Sequence, residues 1–174
     1  MNEDPTVSMP VIEMLTVANE YCLFMEQAQS RSKEELLDFF QKIAPMLYLK
    51  ACLLAPVTPE DESQASRHVT EEQWEDVFKT LREQFGPNDV YHTHDHNHDS
   101  VEASLADNMA DIYQEMKDFI MLYQKNTFAA RENALATLSD TFSWRWGPAL
   151  LSALHRVHQV LFTEDISPDM INYQ

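Results

Sequence analysis

The stretch VEASLADNMADIYQEMKDFIMLYQ, residues 101–124, decides the fold class. Val101, Leu105, Met109, Ile112, Met116, Phe119, Ile120 and Tyr123 recur at steps of three and four. That spacing is the stripe of a helix with one buried face. Asp99 is placed to accept from the free amides of a first turn, and Glu102 occupies the reciprocal capping-box position. The pattern predicts a helix from Val101 to about Gln124, around which the rest of the chain is arranged.

Working outward, composition narrows the architecture. A chain of 174 residues is long enough to bury a core and short enough to predict a single domain over 1–174. Only two glycines occur, Gly86 and Gly147. Hairpin-rich folds and phosphate-cradling loops lean on glycine for positive φ or close approach, so both are disfavoured. The formal net charge of −17 argues against nucleic acid and anionic membrane as partners, since either needs clustered Lys and Arg. No apolar run approaches the ~20 residues that cross a bilayer, and the opening MNEDPTVS is not a basic-then-apolar leader. Cys22 and Cys52 both lie in apolar helical patterns. They fit either a disulfide or, more simply, two buried free thiols in a reducing cytoplasm.

The remaining segments also read as helices. Residues 1–8 and 164–174 are expected to be flexible. A first helix spans about Pro10 to Gln29, with Val11, Leu15, Ala18, Cys22 and Met25 at helical spacing. Ser32 and Glu35 form a capping box for a second, to about Leu54, burying Leu36, Leu37, Phe40, Ile43, Leu47 and Cys52. Pro45 inside it is expected to kink it. A polar linker over 56–69 precedes Thr70, which with Gln73 caps a third helix ending at Gly86-Pro87. The last helical region starts near Thr127 and is expected to break at Gly147-Pro148, because a residue before proline avoids the α region. The expectation is an all-α, single-domain bundle of five or six helices.

Two stretches carry a family resemblance: LADNMADIYQEMKDFIMLYQ (105–124) and WGPALLSALHRVH (146–158). In the second, Trp146, Gly147, Leu150, Ala153, Leu154 and His158 occupy family-like places. With weaker agreement in ANEYCLFME (18–26), they resemble the DUF5063-like family of small all-helical proteins, found mainly in Bacteroidetes. The resemblance spans most of the chain and implies a helical bundle with no assigned activity. The histidine run stands outside that pattern.

That run is the clearest chemical signature. His92, His94, His96 and His98 alternate, with Asp95 and Asp99 among them. In an extended segment, alternate side chains share a face with Cα atoms roughly 6.5–7 Å apart. In a helix the pairs 92/96 and 94/98 meet at i, i+4. Either conformation offers two imidazoles and a nearby carboxylate, a donor set suited to Zn, Ni or Cu. The opposing reading is a solvated loop that collects histidines without binding metal. The order Thr93-His94-Asp95-His96-Asn97-His98-Asp99 is similar to the metallo-β-lactamase signature with its last Asp and His exchanged. That fold needs two β-sheets, for which this chain has neither strands nor glycines.

Helical carboxylates form a second constellation. Glu71, Glu72 and Glu75 read EExxE, and Glu115 with Asp118 reads ExxD, which resembles the magnesium site of all-α nucleotide pyrophosphatases. The separation of about 40 residues exceeds that family's spacer, and no basic cluster stands by to take phosphate. Glutamates after a capping threonine are also favoured by the helix dipole. Asp107, Asp111 and Glu115, spaced i, i+4, read as a solvated face. His155 and His158 read as residues edging the core, and Trp144, Arg145 and Trp146 as packing around the break. The expected function is a non-enzymatic intracellular interaction module whose partner is another protein or a second copy, with Zn or Ni on the histidine loop. The alternative is a metal-dependent, pyrophosphatase-like hydrolase.

Overall fold

Residues 3–164 are described by the computed structural model of the chain. The elements run α1 (Met9–Glu26), α2 (Lys33–Cys52), α3 (Glu71–Phe85), β1 (Val90–His94), β2 (Ser100–Ser104), α4 (Leu105–Tyr123), α5 (Phe128–Thr141) and α6 (Gly147–Phe162). A π-helical turn, Phe142–Trp146, joins α5 to α6. The fold is all-α apart from the small hairpin.

The central stretch holds the position its pattern predicts, with α1, α3, α5 and α6 packing around α4. Twelve of its nineteen residues are buried, which one apolar stripe does not explain. Ala106, Ala110, Tyr113 and Leu122 widen the buried face, and two acids, Glu115 and Asp118, are buried with them. The buried apolar side chains form one contiguous cluster, with Trp146, Tyr21, Phe40 and Phe85 its largest fully enclosed members. Trp74, Val77 and Phe78 of α3 are only partly buried against it.

The start of α4 departs from expectation. Val101 to Ser104 are not helical; they pair antiparallel with Val90–His94, Thr93 opposite Val101 and Tyr91 opposite Ala103. Val101 fits a helical step but is also β-branched, and cross-strand pairing decides its state. The N-cap is Ser104, whose hydroxyl accepts from Asp107 N at 3.1 Å, rather than Asp99 with Glu102. Buried Asp89 completes the junction, accepting from Ala106 N at 2.8 Å and from the Ser104 hydroxyl. One acid thus ties the hairpin's base to the free amides of the helix end.

Three further expectations are corrected. Residues 3–8 are anchored, not frayed: Pro5–Val7 form a 3-10 turn, Thr6 is buried, and Arg131 bonds Thr6 Oγ1 at 2.8 Å and Asp4 at 2.7 Å. Cys52 is exposed rather than buried, and neither cysteine is in a disulfide. As its pattern predicts, α2 carries Pro45 in its interior. At Gly147-Pro148 the chain does not leave the helix. Gly147 is itself α-helical (φ −62°, ψ −56°), and its N–H bonds Phe142 O, five residues back. Lacking a Cβ, glycine removes part of the clash that disfavours this conformation before proline. A Cβ there would lie 2.2 Å from Phe142 O, so the wider turn requires glycine for space. The expected flexibility of 165–174 lies outside the described residues.

Candidate functional site

Two groups of ionisable side chains bear on function, one closed and one open. The closed one lies on α4. Glu115, with its side chain 1% exposed, accepts from Arg67 through both guanidinium nitrogens (3.0 and 2.6 Å). It also accepts from Arg145 Nη1 at 2.6 Å and Thr141 Oγ1 at 3.0 Å. Asp118 Oδ1 takes the backbone amides of His68 and Val69, both at 2.7 Å. Its Oδ2 lies 2.9 Å from Arg67 Nε but off the N–H direction, so charge alone holds it. Asp111 Oδ1 accepts from Trp74 Nε1 and Arg145 Nη2, each at 3.0 Å. The Glu115 carboxylate, followed by partial burial, sets the Arg67 guanidinium, and the net effect keeps it charged more firmly than usual.

This network pins the 56–69 segment, α3, α4 and the π-turn together. The cavity beside it, lined by Ser66, Arg67, Glu115, Asp118 and Thr137, has room for about one water. The ladder read as a solvated face therefore runs inward: Asp107 is exposed, Asp111 is half-buried and paired, and Glu115 is enclosed. Its partners Arg67 and Arg145 carry no motif. Their only sequence signal is that a chain with 12 basic residues sets one arginine between two tryptophans and another just before a capping threonine.

The ExxD and EExxE motifs do not converge. Glu71 and Glu72 are exposed on the first turn of α3, and Glu75 pairs with Lys79 of its own helix at 2.7 Å. Two of the five carboxylates of the hydrolase pattern, Glu115 and Asp118, are held by arginine.

The open place is the hairpin. His92, His94, His96 and His98 are all exposed. His92 and His94 share one face of β1, with Glu102 directly across from His92 and Ser100 across from His94. Tyr91 points the other way and is buried; its hydroxyl donates to Asn108 Oδ1 and shares a hydrogen bond with Ser152 Oγ at 2.8 Å. Burial pushes the Tyr91 phenol up from its ordinary range.

The turn is closed by Asp95. Its carboxylate accepts from the amides of Asn97 (2.8 Å) and Asp99 (3.0 Å), and its carbonyl accepts from His98 N. His98 takes a left-handed φ of 65°. Asp95, expected as a metal neighbour, is thus occupied in shaping the turn. Among the described residues of one copy, no three ligating side chains form a group able to hold an ion.

Other candidates stand apart. His155 and His158 are exposed rather than at the edge of the core, and His158 packs on Phe162 with ring centres 4.8 Å apart. Trp146 is fully buried and donates to Leu138 O at 3.0 Å, whereas Trp144 is 63% exposed.

Fold and site together define a helical bundle with a sealed ionic core and a projecting histidine hairpin. The chain belongs to the family described as a domain of unknown function (DUF5063), whose model matches residues 6–163. It is similar to the crystal structure of protein BF1032 from Bacteroides fragilis, with 30% sequence identity and a TM-score of 0.85. That likeness covers 93% of this chain and 98% of the other. No curated protein matches.

Proposed function

We propose that this chain is a non-enzymatic protein-interaction module of the cytoplasm whose hairpin binds a transition metal, zinc or nickel. The observation that carries the reading is the exposed pair His92 and His94 on one strand face, with the Glu102 carboxylate across the ladder. Imidazole with a neighbouring carboxylate is the donor chemistry of borderline metals. The enclosure of Glu115 and Asp118 by arginine supports a binding role over metal-assisted hydrolysis. An apolar surface suited to a protein partner lies along α2 and its C-cap, where Met46, Leu49 and Leu53 are 46–53% exposed at i, i+3, i+7. The unpaired thiols of Cys22 and exposed Cys52 favour a reducing compartment. No helix among the described residues is long and apolar enough to cross a membrane.

Calorimetric titration of zinc and nickel tests this. Wild type is expected to bind at micromolar affinity, because ordering mobile imidazoles costs entropy. A variant with His92, His94, His96 and His98 all changed to Ala is expected not to bind. Equal binding by both proteins, or pyrophosphate release from nucleoside triphosphates with magnesium, contradicts the reading.

A further inference from the structure

We propose that the hairpin completes its metal site across two copies of this chain. Strand β1 pairs antiparallel with β1 of a second copy, His92 opposite His94 of that copy, and four imidazoles surround one zinc or nickel ion. The inference rests on the metal-binding reading above and adds its partner, register and stoichiometry.

The backbone supplies the first argument. Asp95 N donates to Asp99 O, and Leu105 N donates to Asp89 O. Alternation along an antiparallel ladder then makes 91/103 and 93/101 the hydrogen-bonded pairs. Val90, His92 and His94 therefore turn their N–H and C=O groups outward, along the free edge of β1. Tyr91 packs inward on Asn108 of α4 and Ser152 of α6, and among the described residues no third strand pairs with the outer edge. Natural edges are usually blunted by Lys, Pro or a bulge. This one reads Val-Tyr-His-Thr-His and carries no formal charge in a chain of net −17.

Side-chain geometry supplies the second argument. Outward-facing residues of two such edges can pair with each other, and the register about Thr93 sets His92 of each copy against His94 of the other. Opposed residues of a hydrogen-bonded pair have Cα atoms about 5.5 Å apart. Along one strand the alternate residues are roughly 6.5–7 Å apart. The imidazoles then project from the corners of a small rectangle on one face, within reach of a single ion above its centre. One copy alone gathers no three-ligand group among the described residues, so the second copy supplies what the site lacks. Glu102 flanks His92 on the same face, where a carboxylate can take the imidazole's other N–H and orient it for the metal.

The test is sedimentation velocity of the full chain with and without zinc or nickel. Calorimetric stoichiometry and residue-resolved amide exchange accompany it. The expected result is a doubling of mass with metal, reversed by EDTA, at one ion per two chains. The amides of Val90, His92 and His94 should become protected at the same time. His92→Ala with His94→Ala should abolish both binding and dimerisation, whereas His96→Ala with His98→Ala should leave them intact. All four side chains are exposed, and circular dichroism checks that each variant folds. Metal binding by a chain that stays monomeric overturns the shared site but leaves the metal-binding reading standing. No binding at all overturns both. A metal-dependent dimer whose outward amides stay unprotected shows that the copies meet elsewhere, and the inference fails.

Discussion

The carboxylates in the middle of α4 and the imidazoles of the hairpin differ less in type than in circumstance. Glu115 is enclosed, with Arg67, Arg145 and Thr141 filling its lone-pair directions. His92 and His94 stand in solvent on the outer face of a strand whose other face buries Tyr91. A buried charge is tolerated only when paired and hydrogen-bonded, and once so paired it has nothing left for a ligand. The comparison separates groups that hold the fold from groups free to bind.

The largest effect should come from opening the closed network. Glu115→Ala strips two arginines of their shared partner and leaves Arg145 half-enclosed. Breaking such a pair costs about 3–5 kcal/mol, readable as a shift of the urea midpoint. Arg67→Ala should cost less, because its side chain is 41% exposed and water replaces part of what is lost. If Glu115→Ala is as stable as wild type, the network is not structural, and the distinction between the two regions collapses.

Gly147→Ala sharpens the same point through the backbone. The added methyl meets Phe142 O at 2.2 Å, so the π-turn must shift and carry Arg145 with it. Overpacking of this kind costs about 1–3 kcal/mol. Part of that loss should vanish in a Glu115→Ala background, and a double-mutant cycle measures the coupling. Strict additivity would show that the turn does not position Arg145.

In the hairpin the effects are smaller and of opposite sign. His98→Gly should relieve a left-handed conformation that β-carbon-bearing residues adopt at a cost of ~1 kcal/mol. Thermal denaturation should show a slight rise in Tm, and a fall would mean the imidazole itself supports the turn.

The smallest effect belongs to Asp107, at the outer end of the ladder. Burial first, then the charges of Asp111 and Asp89, raise its carboxyl above the ordinary range. A folded pKa above the unfolded one means the folded state binds the extra proton. Ionisation therefore costs stability as pH rises from about 3.9 through the raised value. Asp107→Asn should remove that decline, with a gain below ~1 kcal/mol at pH 7 because the group is screened and the helix dipole favours an acid there. Urea midpoints measured from pH 4 to 7 check the sign.

The sequence reveals these regions unequally, for physical reasons. Helical elements are legible because their apolar residues repeat within a window of a few turns, and Ser32 and Thr70 cap α2 and α3 as their patterns predict. The hairpin is not, since Val101 lies one helical step before Leu105 and only pairing with Thr93 makes it a strand. The alternation of the histidines is legible, and His92 and His94 share a strand face as an extended reading expects. The enclosure of Glu115 is not, because Arg67 and Arg145 approach from 48 and 30 residues away.

Metal titration of three proteins tests the central claim most directly: wild type, the variant with all four hairpin histidines changed to Ala, and a Glu71→Gln, Glu72→Gln, Glu75→Gln variant. The carboxylates replaced in that last protein are exposed or paired only within α3, so its fold should be undisturbed. Zinc should bind wild type and the glutamine variant alike and fail to bind the histidine variant. Loss of binding in the glutamine variant, or its survival without the histidines, would contradict the account.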